Sequence, residues 1–212
     1  MSPKSKEQHV APGPCHRIAI TGGPSAGKTA LLEVVRRNFS RIGVLPEAAS
    51  IIFGGGFPRV TDDEVALRAA QRAIYHVQCE LERYADESGK YAVVLCDRGT
   101  LDGLAYWPNG ETGPNGYFDQ LGTTEEAELA RYHAVIHLRT PGEEGYDATN
   151  PLRIEGPEEA ALLDEKIAHV WRNHPNRVEV NSSATYLEKL NKAVAAILQV
   201  LPPGVEVFPE HS

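Results

Sequence analysis

One eight-residue stretch has the residue types and the spacing of a phosphate-binding loop. Residues 22–29 read GGPSAGKT and match the pattern G-x-x-x-x-G-K-[ST], directly after a short apolar run. Gly22 and Gly27 permit the backbone torsions that turn amide N–H groups toward an anion, and the start of a following helix favours the same charge. Lys28 is expected to reach the β- and γ-phosphates, and the Thr29 hydroxyl to bind Mg²⁺. The stretch predicts binding of ATP with Mg²⁺, with GTP as an open alternative. The nucleotide-binding residues are expected to be Gly22, Gly23, Pro24, Ser25, Ala26, Gly27, Lys28, Thr29 and Ala30.

A second candidate pair follows an apolar segment further along the chain. Asp97 and Arg98 come directly after residues 91–96, which are almost all apolar. Ligands of parallel sheets bind at the carboxyl ends of the strands, so Asp97 is expected to face Lys28 and to contribute to the Mg²⁺ site or to catalysis. The alternative is an aspartate that ends a strand and caps the next turn. Arg98 is a candidate for stabilising charge during phosphoryl transfer.

Glu47 is the third candidate acid. It ends the expected second strand in the stretch LPEAA. A carboxylate there would lie across the crevice from the triphosphate, where it can act as a general base toward an acceptor hydroxyl. A surface glutamate without a catalytic role is the alternative.

Further arginines lie outside these stretches. Arg139 and Arg153 flank a loop-like segment, and an arginine that closes over the γ-phosphate would stabilise transferred charge; the alternative is a solvated arginine. Arg68 and Arg72 lie one helical turn apart, where they would meet either an anionic group of the acceptor or a neighbour such as Glu64.

Composition and charge exclude several classes of protein. The chain has 212 residues, of which 42% are hydrophobic and 24% charged, and its formal net charge is −8. This balance argues against nucleic-acid binding and against a polybasic membrane surface. No apolar run approaches the ~18 residues of a membrane span, the N-terminus lacks the apolar stretch of a signal peptide, and three scattered cysteines make no disulfide framework. We therefore expect a cytoplasmic protein.

The pattern of apolar residues predicts one nucleotide-binding domain over residues 16–205, preceded by a flexible tail over residues 1–15. A capping box is predicted from Thr61 to Glu64 at the start of a long helix, and loops are predicted at 54–56, 107–122 and 139–156. Alternating strands and helices indicate an α/β fold: a three-layer α/β/α P-loop NTPase architecture with a mostly parallel five-stranded sheet, similar to kinases. The predicted strands are 17–21, 42–46, 91–96, 134–138 and 177–180, and the predicted helices are 28–40, 61–86, 123–131, 158–173 and 186–201.

Four stretches make the chain resemble the NadR/TRPL-translocation-defect-like family of P-loop AAA-type domains. These are RIAITGGPSAGKTALLE, VLPEAAS, VVLCDRGTLDGLAYW and, more loosely, NPLRIEGPEEAALLDEKIAHVWRNHP; they cover most of residues 17–181. The resemblance implies a fold related to nucleoside and nucleotide kinases, with ATP or GTP binding. One branch of the family carries ribosylnicotinamide kinase activity, and another is a eukaryotic GTP-binding trafficking protein with a lipid-binding domain. Neither that domain nor an adenylyltransferase module is expected in this chain.

Three functions remain open from the sequence. The first is a kinase that transfers the γ-phosphate of ATP to a small acceptor, in which Lys28, Asp97, Glu47, Arg98, Arg139 and Arg153 are the candidate catalytic residues. The second is a nucleotide-dependent switch with slow hydrolysis and a protein partner. A Ras-like GTPase is disfavoured, because we find no Asn/Thr-Lys-x-Asp segment and no glycine three residues after Asp97. The third is an ATPase coupled to DNA or to a toxin–antitoxin-like partner.

Overall fold

The computed structural model describes residues 15–60, 62–110, 112–113, 115–141, 156–183 and 185–205. Five strands form one sheet in the order β2-β3-β1-β4-β5, and every pairing in it is parallel. This confirms the predicted five-stranded sheet. The strands are β1 (His16–Thr21), β2 (Ile42–Leu45), β3 (Val93–Asp97), β4 (Ala134–Leu138) and β5 (Arg177–Val180).

Helices cover both faces of the sheet, which confirms the three-layer arrangement. α1 and α8 pack on one face around Leu31 and Ile197, while α3, α4 and α7 pack on the other around Leu101 and Ile167. The helices are α1 (Lys28–Asn38), α2 (Ala48–Gly54), α3 (Glu64–Ser88), α4 (Asp102–Ala105), α5 (Tyr117–Leu121), α6 (Glu125–Leu129), α7 (Pro157–Val170) and α8 (Tyr186–Gln199).

The central strands are the most apolar because they are covered on both faces. All five residues of β4 are buried, and so are Val93–Cys96 of β3 and Ile18–Thr21 of β1. Continuous runs of apolar side chains are what a parallel sheet between two helical layers requires. Burial on both faces therefore explains why these strands could be predicted from the sequence.

Several predicted boundaries are wrong. β3 begins at Val93 rather than at residue 91, and α3 is capped by Asp63, whose carboxylate accepts from Val65 N–H and Ala66 N–H. Thr61, the predicted cap, lies outside the described residues. The long helix ends at Ser88, where Gly89 adopts a φ of +59°.

Three short helices were not predicted. α2 ends at Gly54, the first residue of the predicted 54–56 loop; α4 follows the Asp97-Arg98 pair; and α5 lies inside the predicted 107–122 loop. Helices of four to seven residues gain little from local propensity and depend on tertiary packing. In α5 that packing is the burial of Tyr117 and Phe118.

The topology brings the candidate residues to one edge of the sheet. β1 lies between β3 and β4, so the loop that follows β1 opens between the ends of its two neighbours. Asp97 at the end of β3 pairs in register with Ile20 of β1. The carboxyl edge of the sheet therefore carries the candidate site.

Among the described residues, no helix combines the length and the apolar character that a membrane span requires.

Candidate active site

The loop of residues 22–27 adopts the conformation that its glycines permit. Gly22, Ser25 and Gly27 have φ angles of +132°, +61° and +96°. A Cβ on Gly22 would overlap the carbonyl of Leu138 at the end of β4, so only glycine fits there. α1 begins at Lys28, directly after Gly27. The stretch thus leads from a strand through a tight loop into a helix, as its motif requires.

The Lys28 side chain lies across this loop. Its Nζ donates to the carbonyl oxygens of Gly22 at 2.7 Å and Gly23 at 2.8 Å. Burial and the nearby charge of Arg98 lower the pKa of Lys28 to about 7, against the opposing effect of Asp97 and other carboxylates. Near neutral pH a sizeable share of Lys28 is therefore the uncharged amine, and an approaching anion would favour its protonation to the ammonium.

Arg98 connects the loop to the two acids that flank it. Its Nε donates to Glu47 Oε1 at 2.8 Å, and its Nη1 lies 3.2 Å from Asp102 Oδ2 and 3.3 Å from the Gly22 carbonyl oxygen. The residue has a φ of +75°, which is strained for a side chain of this size. Strain of this kind persists only where surrounding contacts enforce it, and the guanidinium has three such contacts.

Glu47 is held as a carboxylate at the start of α2. Burial alone would raise the pKa of Glu47, but the Arg98 guanidinium and a hydrogen bond from Ser50 outweigh it and hold that pKa below its usual value. Glu47 is thus an ionised, partly buried hydrogen-bond acceptor beside the loop.

Asp97 and Thr29 are the oxygen donors expected for Mg²⁺. Asp97 is partly exposed at the end of β3, and burial together with the nearby Glu47 carboxylate raises its pKa. Thr29 is exposed in the first turn of α1. The described residues contain no group of three or more His, Cys, Asp or Glu that could hold a metal ion by itself. A hydroxyl and a carboxylate nevertheless suit an ion that takes its other ligands from phosphates and water.

Arg139, Arg68 and Arg72 pair with side chains that are not part of the loop. Arg139 Nε lies 3.2 Å from Asp164 Oδ2, and its guanidinium also pairs with Glu165. Arg68 pairs with Glu64 at 3.1 Å, the alternative anticipated above, and Arg72 lies 3.5 Å from Gln120. Arg153 lies outside the described residues. Roles for Arg139 and Arg153 in charge stabilisation stay predictions.

A family model described as an AAA domain matches residues 17–189. The match spans the loop, both candidate acids and all of the sheet except His16, the first residue of β1. The chain belongs to the AAA domain family. The resemblance inferred from the four sequence stretches is thereby confirmed at the level of the family.

Solved structures similar to this AAA domain include two of NadR and one of a kinase. NadR in complex with NAD and AMP-PNP is 12% identical with a TM-score of 0.63, over 91% of this chain and 51% of that one. NadR in complex with NR is 16% identical with a TM-score of 0.62, over 94% and 54%. Thymidylate kinase from Candida albicans is 11% identical with a TM-score of 0.61, over 92% and 98%.

These likenesses establish the fold of the AAA domain. The chain spans about half the length of the NadR chains that it matches, and nearly all of the thymidylate kinase. No curated protein matches the sequence. The kinase-like P-loop fold expected from the sequence is therefore confirmed by solved structures.

Two side chains at the site of this AAA domain escaped the sequence analysis. Asp102, which is buried, accepts from Thr21 Oγ1 at 2.7 Å and from Trp171 Nε1 at 2.6 Å in addition to Arg98. In the sequence it stands four residues after Arg98, within the stretch VVLCDRGTLDGLAYW. Tyr186 is exposed, and its Cε2 lies 3.6 Å from the Cβ position of Gly27. A tyrosine at the start of the last helix carries no signal of its own.

Proposed function

We propose that this protein is a kinase that transfers the γ-phosphate of Mg·ATP to a hydroxyl of a small molecule. The acceptor class is a nucleoside, a nucleotide or a ribosylnicotinamide-like compound. One observation carries the proposal: Arg98 holds an ionised Glu47 2.8 Å from its Nε, and the same guanidinium reaches the Gly22 carbonyl that also binds Lys28. A potential general base and a phosphate-binding lysine thus share one arginine.

Glu47 supplies what a hydroxyl acceptor needs. An uncharged hydroxyl must lose its proton when its oxygen attacks, and a carboxylate within hydrogen-bond reach can take that proton. As the bond from the acceptor oxygen to the γ-phosphorus forms, the bond to the bridging oxygen breaks and ADP departs. The proton passes to Glu47, whose lowered pKa keeps it ionised beforehand. An acceptor that attacks through a phosphate oxygen would not need this base.

The other residues of the site would bind the phosphates and Mg²⁺ and orient Glu47. Lys28 and the loop amides would bind the β- and γ-phosphates. Catalysis of phosphoryl transfer comes largely from such positioning and from electrostatic stabilisation of the transition state. Mg²⁺, held by Thr29 and Asp97, would neutralise charge on the phosphates. Arg98 would keep Glu47 directed toward the acceptor.

The similar structures support this choice of acceptors. The NadR structures are complexes with NR and with NAD and AMP-PNP, and the third is a thymidylate kinase. They make nicotinamide riboside and nucleosides the first acceptors to test. Cytoplasmic localisation, like the exclusion of nucleic acid and membranes as partners, stays a prediction.

The decisive experiment measures ADP release from ATP·Mg²⁺ with and without single acceptors: nucleosides, nucleotides and nicotinamide riboside. Lys28→Ala serves as the blank, and parallel reactions with GTP test the base preference. A burst of ADP with one acceptor, absent in the variant, is the expected result. Slow release that ignores every acceptor would contradict the kinase and favour a nucleotide-dependent switch with a protein partner. Near-normal turnover in Lys28→Ala would refute the role of the loop.

A further inference from the structure

The peptide group between Gly22 and Gly23 is held from two sides. On one side, the Gly22 carbonyl accepts from Lys28 Nζ at 2.7 Å and from Arg98 Nη1 at 3.3 Å. On the other side, the Gly23 N–H donates to Asp164 Oδ1 at 2.8 Å. Asp164 lies on α7, 141 residues further along the chain, and it is buried. The first peptide of the phosphate-binding loop is thus anchored by a helix outside the motif.

Because the peptide is planar and trans, the bond to Asp164 also affects the carbonyl that Lys28 and Arg98 contact. Its N–H and C=O point in opposite directions, and no described peptide bond is cis. A bond that fixes the direction of the Gly23 N–H therefore also fixes the direction of the Gly22 carbonyl. Glycines on both sides give this peptide more torsional freedom than other residues would, so hydrogen bonds from outside it help to select its orientation.

The partners of Asp164 keep its carboxylate ionised and fixed in position. Its Oδ1 also lies 2.9 Å from Nε2 of the buried His137, and its Oδ2 lies 3.2 Å from Arg139 Nε. Burial alone would raise the pKa of Asp164, but the hydrogen bonds from His137 and Gly23 outweigh it and lower that pKa. The carboxylate therefore stays ionised, and charge strengthens its bond to the amide.

The loop lies close against α7 at Gly23. A Cβ on Gly23 would lie 2.9 Å from Asp164 Cβ and 3.0 Å from the Ala160 carbonyl oxygen, one turn earlier on α7. Thr140 Oγ1 donates to the Pro24 carbonyl at 3.0 Å. Because the Gly23 amide is occupied and Pro24 has no N–H, the amides left for an anion are those that follow Pro24.

We propose that Asp164 is a positioning residue of the candidate active site, which orients the 22–23 peptide and thereby the carbonyl that binds Lys28 and Arg98. Without this anchor the peptide can rotate, the carbonyl turns away from both cations, and the loop loses its preorganised shape. The inference rests on the proposed function only in that the bound anion is a nucleoside triphosphate.

The test compares two neighbouring carboxylates that both contact Arg139. Asp164→Ala removes the anchor, and in Asp164→Asn the amide oxygen can still accept from Gly23. Glu165→Gln is the matched control, because this exposed side chain reaches Arg139 but not the loop. Affinity for ATP·Mg²⁺ is measured by calorimetry, folding by thermal melting, and the Gly23 amide by ¹H–¹⁵N resonance.

We expect Asp164→Ala to weaken ATP binding about tenfold, the size typical of a lost bond to a charged group. Asp164→Asn should recover part of that loss and shift the Gly23 amide, and Glu165→Gln should change neither. A folded Asp164→Ala protein with the affinity of the wild type would overturn the proposal. If that variant fails to fold, Asp164→Asn decides: an unmoved Gly23 amide, or an affinity equal to that of Glu165→Gln, would overturn it.

Failure of the kinase proposal would look different. A wild-type protein that binds ATP but phosphorylates no acceptor would refute the kinase, while the Asp164 comparison would still be decided by affinity and by the Gly23 amide. A wild-type protein that binds no nucleotide would refute both.

Discussion

At the scale of single residues, the site depends on one arginine with an unusual backbone. Arg98 contacts Glu47, Asp102 and the Gly22 carbonyl, and it adopts a φ of +75° to do so. A planar guanidinium can donate in several fixed directions at once, which a lysine cannot do. The arginine that the sequence suggests as a candidate for stabilising charge is also the hydrogen-bond donor to the candidate base.

Glu47→Gln tests the base directly. The variant keeps the shape of the side chain but cannot take a proton, so we expect kcat to fall about a hundredfold or more while the KM for ATP changes little. Steady-state kinetics with the acceptor that the ADP-release experiment identifies provide the measurement. Glu33→Gln, an exposed carboxylate on α1, is the control and should leave kcat unchanged. An unaltered kcat in Glu47→Gln would remove Glu47 from the mechanism.

Lys28 makes nucleotide binding sensitive to pH. Its pKa of about 7 in the free protein means that the amine is largely neutral at pH 8, and a bound triphosphate favours the charged form. ATP binding should therefore take up protons at pH 8 and cease to do so near pH 6, where Lys28 is already charged. Calorimetry in buffers of different ionisation enthalpy measures this uptake. Binding heats at pH 8 that do not depend on the buffer would contradict the expectation.

At the scale of elements, short helices place most of the side chains that complete the site. α2 begins directly after Glu47, and α4 begins at Asp102, the partner of Arg98. Both helices are too short to show a clear amphipathic pattern, so neither was predicted from the sequence. The long helix α3, by contrast, was predicted from its spacing of apolar residues, with an error in its cap.

The N-cap of α3 is Asp63 rather than the predicted Thr61, and this assignment can be tested by mutation. Asp63 accepts from Val65 N–H and Ala66 N–H at 2.8 and 3.3 Å. Replacing an N-cap aspartate by alanine leaves those amides without this partner, so Asp63→Ala should lower the free energy of unfolding by about 1 kcal/mol. Chemical denaturation provides the measurement, with the adjacent exposed Asp62→Ala as control. Equal losses in the two variants would mean that Asp63 is not the cap.

At the scale of the whole molecule, the site draws on both layers of helices. The loop is seated on α7, while α1 leads away from it on the opposite face with α8. Residues separated by 141 positions meet at one peptide group. A ligand that binds the loop should therefore stabilise the folded domain as a unit.

Nucleotide binding should raise the melting temperature. At a ligand concentration of about a hundred times Kd, mass action adds about 2.7 kcal/mol, which corresponds to about 5 to 10 °C for a domain of this size. Thermal melts with increasing ATP·Mg²⁺ measure the shift, and Lys28→Ala should reduce it strongly. A melting temperature that does not change with ATP would contradict nucleotide binding altogether.

The amino-acid sequence by itself determined the phosphate-binding loop, the parallel sheet and the kinase-like fold. These features rest on local rules: glycines at fixed spacing, a lysine before a threonine, and apolar runs long enough for strands buried on both faces. β4 was predicted to the residue for this reason. Asp97 and Glu47 were proposed as site residues because parallel strands bring their carboxyl ends to one edge of the sheet.

The tertiary structure alone decided how the site is assembled. Asp164 and Tyr186 reach the loop through contacts between elements far apart in the chain. Asp102 stands four residues after Arg98, but its bonds to Thr21 and Trp171 also join distant elements. The pairing of Arg98 with Glu47 depends on where α2 and the end of β3 lie in the fold. Such contacts depend on the packing of whole helices against the sheet, which local patterns of residue type do not record.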